Sequence, residues 1–181
     1  MKKIINENYF LGNTGNPLAT HSVIAGIPSL DFTEAVVGYD DEKEELDEQS
    51  RKSGVAVFPA TGIVAEGVGK IINNCNKLLW NKNLKDNFEM DNIYYMIYNE
   101  PADHFAWHCD TYPGDPYEKS RVLSLSYCLS HASDYEGCEF CIGDEEFKMD
   151  FGDFIVFPSG VEHCVKPLVS GERKVLVAWY S

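Results

Sequence analysis

Between Thr61 and Asn81 the apolar residues fall at Val64, Val68, Ile71, Ile72, Cys75, Leu78 and Leu79. Steps of three and four put them on one face, which predicts an amphipathic helix over 61–81 with Thr61 as its candidate cap. From residue 91 the pattern changes. Short runs rich in Tyr, Val, Ile and Phe (NIYYMIY, HFAWHC, RVLSLSYCL, CEFCIG, EEFKM, DFIVFP, EHCVKPL, RKVLVAWY) are separated by turn clusters such as NEPAD, SHASDYEG and PSG. About eight short strands with no helical pattern between them predict a mainly β fold with flanking helices. The expected form is a double-stranded β-helix, or jelly roll, with the long helix packed on an outer sheet face. Before residue 60 the signals are sparser: Gly12, Gly15 and Pro17 mark turns, and runs such as SVIAGI read as short strands. The expected organisation is one domain over 1–181, with N-terminal strands and loops to residue 60, the helix at 61–81 and the jelly-roll core at 91–181.

The composition suits one folded unit: 181 residues, 44% hydrophobic and 13% aromatic. The first ten residues, MKKIINENYF, carry two lysines but no apolar segment after them, so no secretory signal is expected. No run approaches a membrane span, and a cytoplasmic location is expected. The six cysteines then read as reduced thiols. Cys138 and Cys141 form a C-x-x-C without a partner pair. On an extended strand, residues three apart face opposite ways and cannot share an ion.

The net charge of −14 argues against binding a phosphate backbone. Much of it lies in GYDDEKEELDEQ, residues 38–49. That segment reads first as a solvated face, and otherwise as a lip attracting a basic peptide.

His108 and Asp110 stand two apart near the end of a predicted strand, so they share a face while Cys109 turns away. A turn, Thr111-Tyr112-Pro113-Gly114, follows. His163 comes after another turn, Pro158-Ser159-Gly160. Two histidines and one carboxylate with open positions form the facial triad favoured by non-haem Fe(II) oxygenases. Ten residues on, Arg173 shares a face with Val175, Val177 and Trp179 by alternation. A guanidinium aimed into an apolar barrel needs an anion, and a carboxylate suits its planar fork. Tyr98, on an adjacent predicted strand, can add a hydroxyl to that carboxylate. Singly, each residue has a plainer explanation as a core or surface-paired group; the conjunction on β elements carries the reading.

Over residues 50–181 the sequence resembles the Fe(II)/2-oxoglutarate-dependent dioxygenases, specifically the prolyl 4-hydroxylase-like branch. The resemblance rests on His108-x-Asp110, the strand opening at Arg121, Tyr135-Glu-Gly-Cys-Glu139, Phe151-Gly-Asp153, Phe157-Pro-Ser159, His163-x-Val-x-Pro167 and Gly171-Glu-Arg173 through Trp179. Arg51-Lys-Ser53 also looks like an Arg-x-Ser pattern of that branch. The resemblance implies that His108, Asp110 and His163 ligate Fe(II), and that Arg173 with Tyr98 holds the distal carboxylate of 2-oxoglutarate. It implies hydroxylation of a peptidyl residue, proline first, with O2 consumed, succinate and CO2 released, and ascorbate as a supporting reductant. An aspartate at 110 is similar to the hydroxylases and unlike the related halogenases, which carry a small residue there. Arg51, Trp107 and Tyr112 are the candidate substrate-side residues, and the implied partner is a peptide or protein; the acidic segment favours a basic one, and neither nucleic acid nor membrane is expected.

The sequence departs from the family pattern at two places. Gly137-Cys138 stands where two glycines are frequent, and Cys128 falls where a tyrosine often helps to hold 2-oxoglutarate. Position 175, two after Arg173, is a valine without a hydroxyl. Alternatives are the same chemistry on a free amino acid or small molecule, nucleic-acid demethylation (disfavoured by charge), a zinc hydrolase, and a non-catalytic cupin-like module holding a metal or carboxylate.

Overall fold

The computed structural model describes residues 4–34, 37–40, 43–45, 49–85, 92–111, 113–114 and 121–181. In chain order the first elements are β1 (Ile4–Ile5), β2 (Phe10–Asn13), α1 (Pro17–Gly26), β3 (Thr33–Glu34), β4 (Val37–Asp40) and β5 (Lys43–Glu45). Next come β6 (Arg51–Lys52), β7 (Gly54–Pro59), α2 (Gly62–Leu79), β8 (Asn92–Tyr98), β9 (His104–His108) and β10 (Leu123–Cys128). The remainder is β11 (Tyr135–Gly137), β12 (Phe140–Ile142), β13 (Glu145–Phe147), β14 (Asp153–Pro158), β15 (His163–Val165), β16 (Leu168–Gly171) and β17 (Arg173–Tyr180).

Two antiparallel sheets face each other. The major sheet runs β1-β2-β14-β10-β17-β8-β7-β3 and the minor sheet β13-β12-β15-β9-β6. Two ribbons, β11-β16 and β4-β5, complete the set. This is the expected jelly roll with flanking helices. Of the acidic segment, residues 41–42 and 46–48 lie outside the described residues.

The core is in two layers. On the outer face of the major sheet, Val64, Val68, Ile72 and Cys75 of α2 pack with Ile93, Leu125, Val156, Leu176 and Ala178. Between the sheets, Met96, Tyr98, Phe140, Ile142, Phe157, Val165 and Val175 form the second layer. The central strand β10 belongs to both, and all six of its residues are buried. Leu123, Leu125 and Tyr127 face the helices, and Tyr127 Oη lies 2.8 Å from Thr20 Oγ1 of α1. Ser124, Ser126 and Cys128 therefore face the other sheet.

The helix α2 matches the pattern that predicts it, though Thr61 occupies the cap position without a side-chain capping bond. The run SVIAGI, read as a strand, is instead largely helical: residues 22–26 lie within α1. Asn16 caps it by accepting from Leu18 N–H and Pro17 opens it. Val23 is buried against the α2 layer. Cap, Pro at the first position and packing outweigh the weak strand preference of three β-branched residues. No helix among the described residues is long and apolar enough to cross a membrane.

Ile72 is fully buried where α2 meets the sheet. Ile72→Ala is expected to lower unfolding free energy by about 2–5 kcal/mol, read by urea titration.

Candidate active site

Two paired strands bring His108, Asp110 and His163 together. β15 pairs with β9 so that His163 lies directly opposite His108. Asp110, just past β9, is pinned by its backbone N–H donating to Ser159 O at 2.9 Å. One ligand atom from each side chain falls within 4.8 Å of the others. His108 Nε2 is 3.5 Å from Asp110 Oδ1 and His163 Nε2 is 3.7 Å from Oδ2. Those gaps are beyond good hydrogen bonds, and close to the roughly 3 Å between neighbouring ligands of an octahedral ion with bonds of about 2.1 Å.

The hydrogen bonds around the triad fix which atoms are free. His108 Nδ1 lies 2.8 Å from Ala106 O and His163 Nδ1 lies 3.0 Å from Val161 O. A carbonyl only accepts, so each Nδ1 carries the proton and each Nε2 keeps its lone pair. Ser124 Oγ donates to Asp110 Oδ2 at 2.6 Å, and Arg121 Nη1 donates to Asp110 O at 3.1 Å.

Burial pushes the His163 imidazolium below its ordinary pKa, with Asp110 acting in the other direction. For Asp110 burial acts to raise the pKa, but the electrostatic pull of His163 and His108 and the Ser124 hydrogen bond overcome it, holding the carboxyl well below the usual range. A buried carboxylate thus calls for a cation, and a buried imidazole is a poor one. A divalent metal satisfies both, and neutral imidazole with carboxylate is the donor set that suits Fe(II).

Arg173 opens β17 opposite Tyr98 of β8. The turn before it depends on Gly171, whose φ is +85° and where a Cβ would fall 2.1 Å from Asp134 O. The Arg173 side chain is fully buried. Its Nη2 points to Met149 Sδ at 3.7 Å, while Nε and Nη1 have no hydrogen-bond partner. Burial opposes its charge, but Cys128, Tyr98, Tyr135 and Cys138 around it keep its pKa high. Burial likewise raises the Tyr98 pKa, leaving its hydroxyl a donor. Arg173, Tyr98 and the triad line one cavity between the sheets. Two unmatched N–H groups of a cation at one end and an open ligand set at the other fit a keto acid bearing a second carboxylate.

The candidate substrate residues separate. Arg51 lines the same cavity, its guanidinium 4.8 Å above the Phe105 ring and its Nε without a partner. Trp107 does not join it; the side chain is 51% exposed on the solvent side of β9. Tyr112 lies outside the described residues. Sequence reasoning missed Phe105 and Ser124. Phe105 stacks on His108 with centroids 3.6 Å apart, although three residues apart on a strand predicts opposite faces. A bulge explains it: Phe105 to His108 pairs against only Val165 to His163. Cys128 faces the inter-sheet layer, its thiol donating to Ser130 O at 3.4 Å, as expected of the residue standing where the family often has a tyrosine. Cys138 flanks Arg173 whereas Cys141 lies opposite Cys164, so the C-x-x-C thiols serve different neighbours.

Comparison with known proteins agrees with this geometry. Residues 93–181 match the family model described as the 2OG-Fe(II) oxygenase superfamily. That match takes in the strands from β8 to β17, which carry the triad and Arg173. A PKHD-type hydroxylase of Synechococcus sp. (strain CC9902) is 39% identical over 87 residues, covering 45% of this chain and 37% of the relative. Another, of Prochlorococcus marinus (strain NATL2A), is 32% identical over 112 residues, covering 58% of this chain and 49% of the relative. The matches thus span less than half the length of these relatives.

Among solved structures, a Pseudomonas putida prolyl-4-hydroxylase superposes with TM-score 0.67 at 16% identity, covering 96% of this chain and 91% of that one. A Trichoplax adhaerens prolyl hydroxylase, in complex with a hypoxia inducible factor peptide fragment, gives 0.69 at 16% identity, with 97% and 84% covered. These share the oxygenase jelly roll. The superfamily implies Fe(II), 2-oxoglutarate and O2, and the His-Asp-His cluster fits the iron.

A buried cation without an oxygen partner costs stability in the ligand-free protein. Arg173→Met, which keeps length and removes charge, is expected to leave the apo-protein as stable as the parent or more so by about 1–4 kcal/mol, measured by urea unfolding.

Proposed function

We propose that this protein is an Fe(II)- and 2-oxoglutarate-dependent hydroxylase of a peptidyl residue, with proline as the first candidate. The observation that carries the reading is the single cavity that joins an open His-Asp-His set to the unmatched Arg173 guanidinium. A zinc hydrolase needs the first and has no use for the second. When bound, the iron with 2-oxoglutarate and O2 supplies the oxidation, in which the cosubstrate becomes succinate and CO2 and one oxygen atom passes to the substrate.

The chain's own residues bind, orient and exclude water. His108 Nε2, His163 Nε2 and an Asp110 oxygen would hold the metal, and Ser124 keeps Asp110 in its rotamer. Arg173 and the Tyr98 hydroxyl would take the distal carboxylate, a charge-assisted pairing in a dry site. Phe105, Phe140 and Phe157 around the histidines restrict water near the metal. Arg51 would face the substrate, its Nε suited to a peptide carbonyl.

A peptide substrate is favoured by the Trichoplax likeness, whose partner is a peptide fragment. Basic character is favoured by the chain's net charge of −14.

Supplied with Fe(II), 2-oxoglutarate and O2, the protein is expected to add one oxygen atom to a basic proline-containing peptide and to release equimolar succinate. Mass spectrometry of both products reads this, and His163→Ala should bring both to background. Oxygen transfer to a free amino acid and to no peptide would remove the peptide assignment. Absence of succinate with every substrate offered would remove the oxygenase reading itself.

A further inference from the structure

The cavity has one hydroxyl that neither the triad nor Arg173 employs. Ser124, Ser126 and Cys128 alternate along the inner face of β10, opposite Trp179, Val177 and Val175 of β17 respectively. Ser124 serves Asp110 at the metal end. Cys128 lies beside Arg173 at the other end, its thiol turned to Ser130 O. Ser126 falls between them, one pleat repeat, about 7 Å along the strand, from each.

Ser126 is 6% exposed and lines the cavity among Leu125, Phe157, Val175 and Val177. Its hydroxyl makes no hydrogen bond among the described residues. The hydroxyl is not among the fully buried unpaired atoms, so it opens on the cavity and is free to serve a ligand, where a valine or alanine would offer none. On the neighbouring strand the inward residues between Arg173 and Trp179 are both valines, and the unpaired Trp179 indole N–H stands farther along, opposite Ser124 at the metal end.

We propose that the Ser126 hydroxyl is a positioning donor for the keto-acid end of the bound cosubstrate. The inference rests on the oxygenase reading above. A five-carbon keto acid reaching from the triad to Arg173 must pass Ser126. Its own oxygens are then the acceptors that the wall lacks, and a hydroxyl at that point favours one rotation of the keto-acid plane over others. With Cys128 in place of a tyrosine, the cosubstrate holds one hydroxyl fewer at the Arg173 end. Ser126 supplies a donor from the same strand, two residues nearer the metal.

The test is Ser126→Ala, with Fe(II) and 2-oxoglutarate added in the absence of O2. The visible charge-transfer band of the chelate reports both affinity and the energy of the keto-acid acceptor orbital. In the variant, 2-oxoglutarate should bind about tenfold more weakly or worse, the loss of one hydrogen bond to a charged group. The band should move to shorter wavelength, because the donor that lowered the acceptor orbital is gone. Fe(II) affinity and the melting temperature of the apo-protein should not fall. A purely structural serine would give the opposite pattern, a lower apo melting temperature with an unmoved band, and would overturn the proposal. An unchanged affinity and band in the variant, with a band present in the parent, would also overturn it while the oxygenase reading stands. No band in the parent would overturn both.

Discussion

The structure turns on a positive charge that the protein buries and does not neutralise. Arg173 has no exposed surface, and two of its nitrogens find no acceptor. Sulfur and aromatic groups surround it: Met149, Cys128, Cys138, Tyr98 and Tyr135. Such neighbours screen a guanidinium weakly compared with a carboxylate. An arrangement of this kind persists where an anion arrives from outside, and the position of the triad in the same cavity says what else that anion must carry. The stability given up in the free state becomes binding free energy for one class of ligand.

How the chain builds this cavity follows from strand geometry. β10 is buried on both faces, with leucines and a tyrosine turned to the helices and small polar residues turned inward. The small inward residues leave room for a ligand where larger ones would close the layer. On the opposing sheet, the bulge in β9 turns both Phe105 and His108 inward, so an aromatic wall stands beside a metal ligand. Asp110 is then fixed from three sides, by Ser159, Ser124 and Arg121. The triad is held by the scaffold before any metal binds, which is what a site that must keep open positions requires.

Much of this was legible in the sequence because the periodicities are strong. The spacing of Val64, Val68 and Ile72 defines α2, and alternation from Arg173 to Trp179 places four residues on one cavity wall. The grouping of His108, Asp110 and His163 follows from strand ends and turns. What escaped were features that break a period or depend on a partner. Phe105 was hidden by the bulge, which no local composition announces. The α1 helix was hidden because its apolar run is short and its packing on α2 is a tertiary fact. Trp107 looked like a cavity residue beside His108, yet simple alternation from His108 already turns it outward. Arg51 was named as a candidate, but its own segment has no signal of burial, and its place in the cavity comes from β6 pairing with β9.

The central claim is that the triad and Arg173 hold opposite ends of one molecule. It is tested most directly by calorimetric titration of 2-oxoglutarate into Fe(II)-loaded protein without O2, for the parent, His163→Ala and Arg173→Met. The account predicts binding in the parent and a loss of at least about tenfold in each variant, because each removes one charged anchor of the same ligand. Equal affinity in the parent and either variant would contradict it.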